Sequence, residues 1–313
     1  MEDYSSAELK AYVKDEGKVV TLDLSRKVLC RIPDAVTELT EVEELKLDNN
    51  NLTELPTSIN KLKNLVRLHL HRNRLTELPS EIGDLKELRM LDVSFNQLVS
   101  LPTSIQKLNQ LEKLLLNANR LTELPSEIGE LKKLTTLDVK NNQLVSLPTS
   151  IQKLSQLKEL YLNANRLTEL PSEIGDLKEL RWLDVSNNQL VSLPASIQKL
   201  NQLGWLLLNA NRLTELPSEI VDLKKLTMLD VSKNQLVSLP TSIQKLNQLE
   251  WLNLSGNKLT ELPSKIGDLK ELRWLDVSGN PLTTDGKHFL DTKIKGMTGT
   301  FIKGEIVVEL LVV

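Results

Sequence analysis

The chain of 313 residues has one cysteine, Cys30, three histidines and few aromatics: four Trp, three Tyr and three Phe. With a single thiol no internal disulfide can form, which favours a reducing, intracellular setting. The opening Met1-Glu2-Asp3-Tyr4 lacks a signal's basic and apolar regions. A cytoplasmic location is expected, with a secreted effector as the alternative. No charge of one sign dominates: 39 Lys+Arg against 42 Asp+Glu give a net charge of -3. That excludes a generally basic nucleic-acid binder. No apolar run approaches the roughly 20 residues that cross a bilayer, so no membrane insertion is expected. Nucleophile-elbow, phosphate-loop and zinc motifs are missing, and three histidines leave few groups for general acid–base work. Cys30 has no histidine near it in sequence. The expectation is a protein that is not an enzyme, with no catalytic residue, no metal and no cofactor.

What the chain does have is a 23-residue repeat, marked by an asparagine at Asn50, Asn73, Asn96, Asn119, Asn142, Asn165, Asn188, Asn211, Asn234, Asn257 and Asn280. A degenerate first copy begins at Val19 and carries Lys27 in the asparagine position. Eleven full copies and a half copy occupy 19–282. In Leu-x-x-Leu-x-Leu the last two leucines lie two apart and share one face of a strand. A unit this short cannot close its own core, so successive copies must stack. The asparagine falls where the chain turns, and its amide can donate to and accept from backbone groups that no sheet satisfies. Repeated, it predicts a ladder of buried hydrogen bonds. Each Leu-Pro step ends pairing because proline lacks an N–H. The following Ser-Glu-Ile-Gly-Asp-Leu or Thr-Ser-Ile-Gln-Lys-Leu piece predicts a short helical turn capped by its Ser or Thr. Strand on one side and wider turn on the other predict a curved stack with the parallel sheet inside.

This pattern, Leu-x-x-Leu-x-Leu-x-x-Asn-x-Leu-x-x-Leu-Pro-x-x-Ile-x-x-Leu-x-x, resembles the leucine-rich repeat family. Its 23-residue form is similar to intracellular arrays of the Scribble and plant Ras-group-related type and to bacterial secreted repeat proteins. The resemblance implies an α/β horseshoe solenoid, with a concave parallel sheet, short helical or 3-10 turns on the convex face, and protein ligands on the sheet. The cysteine-rich caps of extracellular relatives such as Toll-like receptors are missing.

The two ends differ. Ser5 and Glu8 fit a capping box, Leu9, Tyr12 and Val13 share a helical face, and Gly17 can end the helix. Residues 1–18 are therefore expected to be a capping helix. Residues 283–313 depart from the repeat and include His288 and Phe289. Glu305 to Val313 reads as a strand, either pairing with the last repeat as a cap or opening a following segment.

Counting each copy from its first leucine, positions 3, 5, 7 and 8 are expected on the concave surface. All four tryptophans fall at position 3, in the run Trp182, Trp205, Met228, Trp251, Trp274. Tyr161 occupies position 5 and Phe95 position 8. Position 3 varies widely between copies while positions 12–18 are nearly fixed in two alternating versions. Strands about 4.8 Å apart would line these side chains up over roughly 19 Å. Such a stripe is either a stacked ladder that stiffens the sheet or a set of binding anchors, a role in which Trp is enriched. Position 5 places Asp92, Asp138, Asp184, Asp230 and Asp276 in alternate copies. Either the row orients a basic or donating partner, or it is a solvated surface. Arg89, Arg181 and Arg273 at position 2 are candidates to pair with it. A local basic patch is formed by Arg67, His69, His71, Arg72 and Arg74. Its histidines could face Asp48 or Asp92, but a metal site needs a third ligand.

The leading expectation is a non-catalytic scaffold that binds a protein or peptide through Trp182, Trp205, Met228, Trp251 and Trp274, with Tyr161, Asp184, Asp230 and Asp276 flanking. The alternatives are carbohydrate or small-ligand recognition, as in immune-type receptors, and a sensor or targeting module of a larger signalling protein.

Overall fold

The computed structural model describes residues 20–283 throughout, with Leu9 and the backbone of three strands outside that range. The chain divides into two compact units, Met1–Glu159 and Leu160–Val313. In the first, β1 (Val13–Asp15) precedes β2 (Val20–Asp23), β3 (Glu44–Lys46), β4 (Arg67–His69), β5 (Met90–Asp92), β6 (Lys113–Leu115) and β7 (Thr136–Asp138). From β2 to β7 neighbours pair in parallel, in register at the repeat spacing. β8 (Glu159–Tyr161) falls at the boundary between the units. The second unit repeats the arrangement with β9 (Trp182–Asp184), β10 (Trp205–Leu207), β11 (Met228–Asp230), β12 (Trp251–Asn253) and β13 (Trp274–Asp276). Beyond it, β14 (Thr300–Ile302) and β15 (Glu305–Glu309) form an antiparallel pair, and β15 lies antiparallel against β13.

Leucine spacing makes each coil. In the copy starting at Leu203, the side chains of Leu206, Leu208, Leu213, Ile220 and Leu223 are wholly buried. Each such burial contributes roughly 1.5–3 kcal/mol. The asparagine ladder forms as its chemistry requires. Asn73 donates to the carbonyls of Leu47 (2.9 Å) and Leu70 (3.0 Å), and its Oδ1 accepts from the Leu52 N–H (3.0 Å). One bond stays within the coil and two reach the coil before.

The turns opposite the sheet are 3-10, and no Ser or Thr side chain makes a capping hydrogen bond to them, not even Ser242 at the N-cap of Ile243–Lys245. In most, proline occupies the N-cap, and its carbonyl accepts the bond that closes the turn, as Pro194 does from Ile197 N–H at 3.0 Å. The Ser hydroxyl instead reaches its neighbour, Ser172 donating to Glu173 at 3.0 Å.

The capping helix expected over residues 1–18 does not include Val13–Asp15. Val13–Asp15 is a strand, antiparallel to β2. The first coil would otherwise leave an open row of backbone donors and acceptors, and a strand covers it. Leu9 is helical and buried. Ser5, Glu8, Tyr12, Gly17, His288 and Phe289 lie outside the described residues.

Position 8, expected to present a side chain like its neighbours, is a left-handed turn. Arg72, Phe95, Ala118, Asn141, Ala164, Asn187, Ala210 and Lys233 all have φ between 52° and 56°. The conformation costs energy for a residue with a Cβ. It persists because it aims each N–H at the next coil: Phe95 N–H meets the Asn117 carbonyl at 2.8 Å.

Candidate functional site: an indole stripe on the sheet

The five candidate anchors sit side by side. Trp182 pairs in register with Trp205, Trp205 with Met228, Met228 with Trp251 and Trp251 with Trp274. With Leu183, Leu206, Leu229, Leu252 and Leu275 buried beneath, alternation turns the indoles to the other face. They stack in two pairs. Trp182 and Trp205 have ring centroids 4.3 Å apart at 21°, and Trp251 and Trp274 lie 4.3 Å apart at 3°. Met228 separates the pairs, and Tyr161 leans on Trp182 at 5.8 Å. Trp205 is the most open, at 38% exposure; its four companions are partly exposed. The stack carries a cost: the Trp182 Nε1–H is buried with no acceptor.

The aspartates at position 5 have a local duty that spacing did not reveal. Asp184 accepts from the Ser186 N–H (3.0 Å), Asp230 from the Ser232 N–H (2.9 Å) and Asp276 from the Ser278 N–H (2.8 Å). Each closes the turn at its strand's end, as Asn253 does for Ser255 at 3.1 Å. Burial pushes the Asp230 carboxyl above the usual range, against hydrogen bonds from Ser232 and Asn253; the Asp184 charge adds a smaller push upward. Asp138 is raised by burial in the same way. The arginines at position 2 do not pair with this row. Arg89 bonds Glu112 (3.2 Å) and Arg273 bridges to Glu250 (3.6 Å), both within their own column. Three residues of strand, about 10 Å, separate the two columns.

The basic patch of the first unit is taken up locally. His69 Nε2 lies 3.0 Å from Glu44, and His71 Nδ1 lies 2.8 Å from the Ser94 hydroxyl. The His71 N–H donates to Asp48 at 2.9 Å, and burial raises the Asp48 carboxyl. Phe95 packs edge-on against His71 at 5.1 Å, with the Arg72 guanidinium 5.5 Å from its ring centre. The remaining members are Arg67, next to Glu44 in the sheet, and Arg74, whose backbone N–H donates to the Leu52 carbonyl at 2.8 Å. Among the described residues no group of three His, Cys, Asp or Glu is placed to hold a metal ion.

Family profiles described as leucine rich repeat match residues 40–98 and 109–167, and profiles described as leucine-rich repeat region match 151–213 and 203–277. The chain belongs to the leucine-rich repeat family. Among solved structures it is similar to a leucine-rich repeat protein of Leptospira interrogans, at 35% identity over 87% of this chain and 81% of that one, with a TM-score of 0.61. A plant peptide hormone receptor, RGFR1 in complex with RGF2, is 31% identical over 80% of this chain, with a TM-score of 0.67. This leucine-rich repeat chain spans 46% of that receptor's length. An internalin of Listeria monocytogenes shares the fold, at 22% identity, 93% and 80% coverage and a TM-score of 0.79. No curated protein sequence matches. Leucine-rich repeat domains are generally non-catalytic protein-interaction modules, and no helix among the described residues is long and apolar enough to cross a membrane.

Proposed function

We propose that the chain is a recognition scaffold whose indole stripe, Trp182 to Trp274, binds a protein or peptide segment, with Tyr161, Asp184, Asp230 and Asp276 along its edge. The observation that carries this reading is the concentration of every tryptophan of the protein in one solvent-facing column of the sheet. Stacked rings spend their flat faces on each other. They offer edges and the flexible Met228 thioether, which suit inserted side chains better than a sugar ring seeking an open aromatic face. A rigid array adds little ordering cost on binding. Receptors of the same family that are seen with peptide hormones support a peptide partner.

Trp205→Ala and Trp251→Ala test the reading. Hot-spot truncation costs 2 kcal/mol or more, about 30-fold in affinity. Unchanged binding of a captured partner by both variants would refute the anchor role.

A further inference from the structure

The acids on the sheet face are treated in two ways. At some the chain supplies its own cation: Lys46 lies 3.8 Å from Glu44, and Lys140 lies 3.3 Å from Asp138. Position 7 is instead a serine after Asp92, and in the second unit it is Ser186 after Asp184 and Ser232 after Asp230. These serines give backbone N–H donors and no charge. Among the described residues no lysine or arginine forms an ion pair with either aspartate. Asp184 and Asp230 are partly buried and sit on β9 and β11, flanking β10. Trp205, the most exposed indole, lies on β10 diagonal to both. Two residues along the strand and one strand across put each carboxylate about 8 Å from it.

We propose that the segment bound on this stripe is basic, and that one of its arginines runs along the exposed edge of Trp205 and sets its guanidinium between Asp184 and Asp230. The inference rests on the docking role of the stripe. Arginine's apolar stem can pack on an indole edge while its planar, weakly hydrated guanidinium donates to carboxylates. One such group relieves two like charges, of which the Asp230 charge is already disfavoured by burial. An ammonium offers no such planar fork and is harder to desolvate. The leucine at the same depth, Leu207, and Met228 beside it keep the surroundings apolar, which strengthens the attraction.

The experiment selects a displayed library of random dodecapeptides against the intact chain at 150 mM salt. The best peptide is then synthesised with arginine and with neutral citrulline. Binding is read from intrinsic tryptophan emission, since all four tryptophans lie in the stripe. The proposal expects arginine-rich peptides, binding at least about 10-fold weaker with citrulline, and the same weakening for the arginine peptide on an Asp184→Asn/Asp230→Asn variant. That variant keeps its turns, because Asn253 already does this work in the next coil. Asp176→Asn, at an acid that bridges Lys178 and Lys199 in a turn away from the sheet, should leave binding unaltered. Peptides lost by Trp205→Ala yet indifferent to citrulline or to the asparagine pair would overturn the cationic ligand and leave the docking stripe standing. Peptides indifferent to Trp205→Ala, or no peptide at all, would overturn both.

Discussion

Replacing Asn119 by alanine isolates what the asparagine ladder contributes. Its Oδ1 accepts from the Leu98 N–H at 2.9 Å, and its Nδ2 donates to the carbonyls of Val93 (3.0 Å) and Leu116 (2.9 Å). The three groups do not lose equally. Val93 O keeps a bond from Asn96, and Leu116 O keeps one from Asn142, because each carbonyl in the ladder serves two asparagines. Only the Leu98 N–H is orphaned, at about 1–3 kcal/mol, while each lost carbonyl bond costs about 0.5–1.5 kcal/mol. Asn119→Ala should therefore destabilise by about 2–6 kcal/mol, a large share of the roughly 5–15 kcal/mol that holds a domain together. Denaturant unfolding followed by circular dichroism gives the magnitude. Amide exchange at Leu98 and its neighbours gives the place, since a solenoid can open one coil at a time. A loss under about 1 kcal/mol, or faster exchange spread evenly over the chain, would refute the shared-carbonyl account.

Two glycines should behave in opposite ways. A Cβ on Gly175 would overlap the Ser196 carbonyl oxygen and lie 2.8 Å from Ser196 Cβ, so Gly175→Ala should lose about 1–3 kcal/mol by overpacking. Gly204→Ala meets nothing closer than 3.7 Å and should leave the thermal midpoint within a degree or two. Asp230→Asn should be at least as stable as the parent at pH 7. Burial raises the folded pKa of Asp230, so its favourable contribution is fully present below the unfolded value near 3.9 and is lost as pH rises through the folded value. Stability measured from pH 3 to 8 should show the two proteins converging below about pH 3.9, and an advantage of the aspartate at pH 7 would contradict the burial argument.

Much of this was legible in the residues because a repeat averages out local ambiguity. Leucine spacing and the asparagine register placed strand, core and ladder in every coil. What escaped depends on contacts between coils. Phe95, Arg72 and Lys233 give no sign of a left-handed turn, which the hydrogen bond to the next coil imposes. Gly83, Gly129 and Gly175 look like helix breakers but are spacers, each pressed against a serine of the following turn. Val221 stands in the next member of that series and is buried, and the facing turn shrinks to Ile243–Lys245. In the stripe, position 3 was enough to align the indoles. Their pairing in twos around Met228 was not, because ring orientation follows from packing. The aspartate row resisted for another reason: a carboxylate that closes its own turn and one that waits for a cation have the same spacing.

The central claim is that the indoles form an accessible face on the sheet, and acrylamide quenching of the intrinsic fluorescence tests it most directly. The account predicts strong quenching of the native protein, reduced most by Trp205→Phe, the substitution at the most exposed ring. Emission that resists acrylamide until the protein is unfolded would place the rings in the interior and contradict the docking surface.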